Sequence, residues 1–111
     1  MFTMKVESIK SISPNKRERI SGGVYIEFKS TDNVKKGDYF KVIVNGSNHE
    51  FEASEVQVEG TDLKVTAKEV GYWAKTLEHK GTDLRTVIGS EVTTVTDEVE
   101  KKRIYERTCW L

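Results

Sequence analysis

Cysteine and proline are nearly absent from this chain of 111 residues, which has one of each. The single cysteine, Cys109, excludes an internal disulfide and a cysteine-rich zinc site, and it favours a reducing compartment. The first residues also lack the apolar stretch of a secretory signal. No proline-rich or glycine–serine linker divides the chain. We therefore expect one domain over residues 1–111, located in the cytoplasm.

Long apolar runs and an excess of charge are absent as well. No run approaches the roughly 20 apolar residues that cross a bilayer, so we expect no membrane contact. Lysine and arginine number 18, and aspartate and glutamate also number 18, so the formal net charge is zero. Domains that bind duplex nucleic acid usually carry a basic excess or stripe, so the balance weakens that class of function.

Motifs for catalysis and cofactors are missing too. The chain has no hydrolase elbow, phosphate loop, dinucleotide fingerprint or metalloprotease helix. A general base at His49 or His79 would define an enzyme, but lone histidines are more often structural or solvated. His49, Glu50 and Glu52 alternate across the faces of a strand, so they cannot converge on one metal ion. We predict a non-enzymatic protein without cofactor or metal, and an enzyme that uses a histidine is the weaker hypothesis.

What the sequence does contain is a run of strand-like segments with tight turns between Val34 and Val70. The Asn45-Gly46 pair is typical of a two-residue type I′ turn. That turn places Phe40 opposite Phe51, with Val42 opposite His49 in the same hairpin.

The second turn of this meander spans residues 59–62 and sets the register of the next strand pair. It places Val58 opposite Leu63 and Val56 opposite Val65. The apolar alternation changes phase at residues 54–55, which predicts a β-bulge there that turns Val56 and Val58 inward.

Segments outside the meander add strands and helices. Alternation predicts a bent strand over residues 5–13 and further strands over 24–28 and 91–96, and the glycine pair at 22–23 indicates a bulge or a close backbone approach. Helical spacing from Val70 through Trp73, Ala74 and Leu77 predicts a helix that ends near Gly81. Asp83 is expected to cap a short helical turn over 84–88. The capping and charge pattern of residues 98–107 predicts a C-terminal helix. Alternating apolar and polar residues leave a strand as the alternative for 98–111.

These elements predict a mainly β (α+β) fold with one or two short helices in the C-terminal half. About five or six antiparallel strands would form a small barrel, SH3-like or OB-like, or a strongly curved sheet. The sequence leaves barrel and open sheet as alternatives.

Spare aromatic residues give the first hypothesis of function. Tyr72, Tyr105 and Trp110 do not all fit a core this small, and surface aromatics often anchor protein interfaces. We therefore expect a binding or accessory module that acts through protein–protein contacts, including self-association into a homo-oligomer. Small motif-free β domains of balanced charge are common among phage and prophage accessory proteins, such as virion components and inhibitors of host defence, so that class is the base-rate hypothesis.

A basic cluster gives the alternative hypothesis. Lys16, Arg17 and Arg19 lie in a charged turn after Pro14. Basic side chains combined with aromatic platforms can bind a nucleotide or single-stranded nucleic acid on the face of a β-barrel.

Overall fold

The described residues form a single antiparallel sheet followed by one α-helix. The computed structural model describes residues 3–19, 22–71 and 75–109. Within them the strand order is β1-β2-β5-β4-β3-β6. The elements in chain order are β1 (Ser8–Ile12), β2 (Gly23–Ser30), β3 (Tyr39–Val44), β4 (Ser47–Glu59), β5 (Asp62–Val70), a 3₁₀ helix (Leu84–Val87), β6 (Val92–Thr94) and α1 (Glu98–Cys109). The mainly β class and the strand number are confirmed.

The first hairpin of the meander has the predicted register. Phe40 pairs with Phe51, and Val42 pairs with His49. Asn45 and Gly46 both have positive φ angles, 50° and 79°, which is what a type I′ turn requires. Local turn chemistry therefore sets the alignment of β3 and β4.

The predicted bulge is also confirmed. The register of β4 against β5 shifts between Ala53 and Glu55, so that Ser54 is the extra residue. The Ser54 hydroxyl donates a hydrogen bond of 3.1 Å to the Thr66 carbonyl, which gives the bulged residue a partner on β5.

Beyond the bulge the two predicted pairs form, but only one of them reaches the core. Val56 pairs with Val65 and Val58 pairs with Leu63. Val56 packs against the core, whereas Val58 is 81% exposed. The prediction that Val58 points into the core is wrong. Val58 lies near the end of the β4–β5 hairpin, which extends past the residues that could cover its side chain.

One face of the sheet carries the hydrophobic core. Phe28 and Phe40 meet edge to face with ring centroids 4.9 Å apart, a favourable geometry for aromatic pairs. The loops contribute Val34 and Leu77 to the same cluster, and the 3₁₀ helix contributes Val87. The strand residues of the core are Val24, Ile26, Phe28, Phe40, Val42, Val44, Phe51, Ala53, Val65, Ala67 and Val92.

The sheet is strongly curved. A flat sheet of six strands would hold its edge strands about 24 Å apart. Yet Lys5, three residues before β1, bridges to Glu91 just before β6, and the Val92 N–H donates to the Met4 carbonyl at 2.8 Å. In the described part of the chain β1 and β6 do not pair with each other, so the sheet is not closed.

The segment after β5 differs from the prediction. Val70 pairs with Glu50 as the last residue of β5, so no helix begins there: ladder pairing with β4 prevails over the helical spacing of the side chains. Gly71 follows with a φ of 103°. Lys75 has a 3₁₀ conformation, and residues 76–80 form a bend and turns. Leu77 is buried as the apolar spacing indicated. Trp73 and Ala74, also placed on this helix by the sequence, lie outside the described residues.

The two helical segments near the C-terminus begin at aspartate caps. The Asp83 carboxylate accepts from the Arg85 N–H at 3.1 Å, and the Asp97 carboxylate accepts from the Val99 N–H at 2.8 Å. Side chains of this type satisfy backbone donors that a helix leaves open. The helix prediction is confirmed, and the strand alternative is wrong over residues 98–109.

Helix α1 packs on the face of the sheet opposite the core. Its residue Ile104 is fully buried. The Arg107 guanidinium donates two hydrogen bonds to the Glu50 carboxylate, at 2.5 and 2.6 Å, and the Lys41 ammonium lies 3.2 Å from Glu100. Lys41 and Glu50 are cross-strand partners, so both ion pairs attach the helix to β3 and β4.

The same outer face carries a polar row across β1, β2 and β5. The Ser8 hydroxyl donates to Glu27 at 2.8 Å, and the Lys64 ammonium lies 3.3 Å from Glu27. The Ser8 hydrogen bond, opposed by partial burial and assisted by Lys64, lowers the pKa of Glu27 below its ordinary value of 4.5.

Replacing Phe40 with alanine should test the core. We expect Phe40→Ala to lower the free energy of unfolding by about 3–5 kcal/mol, because it opens a cavity beside Phe28. Ile43→Ala, on the same strand but 64% exposed, should change it by less than about 0.5 kcal/mol. Urea denaturation measures both, and equal effects would contradict the assignment of the two faces.

Replacing Ser8 with alanine should make stability less dependent on pH. A carboxylate whose pKa is lowered by folding stabilises the protein above its unfolded pKa, and this contribution is lost as pH falls through the folded pKa. Ser8→Ala should therefore cost stability at neutral pH, with the difference from the parent shrinking below about pH 4.5. Urea denaturation across the acid range checks this, with Ser11→Ala as control. A difference that grows on acidification would refute it.

Candidate functional site

An open groove of about 680 Å³ lies where β1 ends, β2 begins and β5 ends. Its volume falls within the range of about 300–1,000 Å³ that is usual for ligand sites. We call it the end groove. The side chains that line it are Ile12, Ser13, Pro14, Val24, Glu52, Ser54, Lys68, Glu69, Val70, Thr76 and Glu78.

Two glycines bring the backbone close enough to form one wall of the groove. A Cβ on Gly22 would lie 2.6 Å from Cδ of Pro14, and a Cβ on Gly23 would lie 2.9 Å from Cε of Lys68. Position 22 has no room for a side chain because it faces the ring and backbone of Pro14, whereas the flexible Lys68 side chain could move away from position 23. Gly22 therefore allows the two ends of the loop to approach each other. The close backbone approach predicted from this pair is confirmed.

Three charged side chains of the groove have no partner among the described residues. Glu52 and Lys68 are opposite each other on β4 and β5, and Glu78 comes from the turn after β5. In the described residues none of the three makes an ion pair or a side-chain hydrogen bond. Their charges are therefore available to a bound molecule.

The fourth charged residue of the groove, Glu69, has partners for both of its carboxylate oxygens. Its Oε2 atom lies 2.8 Å from Nδ1 of His49, and the two side chains are only 3% and 4% exposed. Its Oε1 atom accepts a hydrogen bond of 3.0 Å from the Leu77 N–H. The buried pair thus connects the segment after β5 to the sheet, and its Glu69 member forms the floor of the groove.

Glu69 was not singled out from the sequence, although a signal existed. Val65, Ala67 and Glu69 share one parity on β5, and the first two are core residues. The third must therefore point inward as well, where a carboxylate needs a partner. The hairpin register places His49 on the neighbouring strand with its side chain also buried.

The predicted basic residues lie beside the groove. Lys16, Arg17 and Arg19 are exposed in the loop between β1 and β2, whose ends at Pro14 and Gly22 line the groove. The Asn15 side chain accepts from two backbone N–H groups of this turn, at 3.1 and 3.2 Å. None of the three basic side chains has an ion pair in the described part of the chain.

The predicted aromatic residues are not brought to this groove. Tyr105 is 60% exposed on α1, which attaches to β3 and β4, whereas the basic loop joins β1 to β2. Strand β5 separates the two regions in the sheet order. Tyr72 and Trp110 lie outside the described residues.

Known proteins give no further guide to the site. No protein family, curated protein or solved structure matches the chain. Among the described residues, no three histidine, cysteine or acidic side chains converge as metal ligands would, and no helix is long and apolar enough to cross a membrane.

Removing the Glu69 carboxylate should destabilise the floor of the groove. Glu69→Ala leaves the buried Leu77 N–H and the His49 imidazole without their acceptor, and we expect a loss of about 3 kcal/mol in the free energy of unfolding. Glu78→Ala, which removes an exposed and unpaired carboxylate, should change it by less than about 0.5 kcal/mol. Denaturant titration together with faster hydrogen exchange at the Leu77 amide measures the effect, and unchanged exchange there would contradict this role.

Proposed function

We propose that the protein is a non-enzymatic binding module that contacts another polypeptide through the end groove. The observation that carries this proposal is the set of three unpaired charged side chains, Glu52, Lys68 and Glu78, in an open groove with apolar walls. Binding sites commonly combine apolar surface with a few well-placed polar groups. A polypeptide offers cationic, anionic and apolar side chains together, and so matches this mixture.

The state of His49 supports binding rather than catalysis. A general base must come within hydrogen-bond reach of its substrate. His49 is instead buried, and its Nδ1 atom faces the Glu69 carboxylate. That carboxylate in turn accepts from the backbone of Leu77, which is a structural arrangement.

A second candidate is a site for a nucleotide or for single-stranded nucleic acid. The exposed Lys16, Arg17 and Arg19 favour it, because basic side chains neutralise phosphates. The carboxylates of Glu52 and Glu78 in the adjacent groove oppose it, because they would repel the same phosphates. The polypeptide is therefore the preferred ligand.

The proposal also includes a barrel-like form, a cytoplasmic location and an accessory role. A barrel-like form, SH3-like or OB-like, is supported by the bridge between Lys5 and Glu91 near the two edge strands. A cytoplasmic location is supported by the single cysteine. A phage or prophage accessory role, as a virion component or an inhibitor of host defence, is a base-rate hypothesis that no residue carries.

Filling the groove should test the proposal. Ser13 is exposed at the rim, and Ser13→Trp would place an indole into the groove. Ser11→Trp is the matched control, since Ser11 is an exposed residue of β1 outside the groove lining. We would select ligands from a library of random short peptides with the parent protein. The selected peptides should bind Ser13→Trp at least about tenfold more weakly, a change of about 1.4 kcal/mol, and bind Ser11→Trp as the parent.

The same titration distinguishes the two candidates. Oligothymidylate and ATP, tested at low salt, should bind more weakly than the selected peptides. If the library yields no peptide, or if Ser13→Trp binds the peptides as well as the parent, the proposal is wrong. Tight binding of oligothymidylate that Lys16→Ala and Arg17→Ala abolish would establish the nucleic-acid alternative instead.

A further inference from the structure

We propose that the polypeptide in the end groove is the basic turn of a second copy, residues 16–19, and that two copies exchange these turns to form a symmetric dimer. This inference rests on the proposed function, since it uses the groove as a polypeptide site. It names the occupant and adds a role for Lys16, Arg17 and Arg19.

Charge complementarity is the first argument. The turn carries three basic residues and one acidic residue, Glu18. The unpaired groove side chains have the reverse pattern, with two carboxylates and the single ammonium of Lys68. Basic side chains of the turn can therefore pair with Glu52 and Glu78, while Glu18 pairs with Lys68. An electrostatic match of this kind sets partner choice and orientation.

The second argument is that the basic side chains of the turn make no ion pair within the described part of their own chain. Its loop begins and ends at the rim of the groove, at Pro14 and Gly22. Nevertheless the basic side chains are exposed and have no carboxylate partner in the described part of the chain. Asn15 fixes the backbone of the turn through two hydrogen bonds, so little backbone entropy is lost when the turn enters a partner.

The third argument is symmetry. A surface that carries a projecting turn beside a complementary groove is self-complementary under a two-fold axis. Each dimer then contains the turn–groove contact twice. The formal net charge of zero means that two copies approach without net repulsion, so attraction between the local charges is not opposed.

Two charge-reversed proteins test the exchange. The turn variant carries Lys16→Glu and Arg17→Glu, and the groove variant carries Glu52→Lys and Glu78→Lys. Each variant alone should be monomeric by analytical ultracentrifugation, because its turn and its groove have charge of the same sign. An equimolar mixture should restore a dimer, since each turn then meets a groove of opposite sign. The parent should be a dimer that dissociates as salt is raised.

A matched control separates local pairing from total charge. Lys35→Glu with Lys36→Glu makes the same change in net charge at exposed residues of the loop between β2 and β3, and this protein should remain a dimer. Circular dichroism establishes that all variants are folded. A monomeric parent, a turn variant that dimerises like the parent, or a mixture that stays monomeric would each overturn the inference.

Failure of the dimer and failure of the proposed function give different results. The turn variant keeps an intact groove, so it should still bind the selected peptides, and Ser13→Trp added to it should abolish that binding. If the parent is monomeric but this peptide binding holds, the dimer is wrong and the groove is still a polypeptide site. If the peptide binding also fails, both proposals are wrong.

Discussion

The register of β4 against β5 is the constraint on which the groove and its floor depend. Side chains alternate between the faces of a strand, so a slip of one residue would exchange the two faces. The bulge at Ser54 shifts the register by one residue. As a result Ala53, before the bulge, and Val56, after it, both pack against the core. Because of this alignment Glu69 points inward to His49, while its neighbour Lys68 points to the groove.

The inward position of Glu69 has a cost that its contacts offset. A buried carboxylate is stable only when it is paired and hydrogen-bonded, and here its oxygens reach the His49 imidazole and the Leu77 N–H. The pair consequently fixes the segment after β5, which forms a bend and turns over residues 76–80. The buried Glu69–His49 pair thus sets the position of the segment after β5, which lines one side of the groove. In this arrangement His49 has a structural role.

Sequence reasoning succeeded where structure follows from neighbouring residues. Turn chemistry at Asn45-Gly46 fixed one hairpin, and the phase change at Ser54 located the bulge. It failed at Val70, because pairing with Glu50 on another strand outweighed the local helical spacing. The groove was also not predictable, since its walls come from β1, β2, β4 and β5 and only the glycine pair hinted at a close approach.

The zero net charge can now be interpreted in terms of position. The net charge is the same whether positive and negative side chains are mixed or lie on separate surfaces. A value of zero therefore argued only against an excess of basic residues for binding nucleic acid. In the fold, the loop that carries the basic turn begins and ends at the groove, yet within the described residues the basic side chains and the groove carboxylates form no ion pair. Charges kept apart within one chain but brought together between two chains contribute to association and not to folding. A chain of zero net charge can therefore still carry the two local surfaces of opposite charge on which the proposed dimer depends.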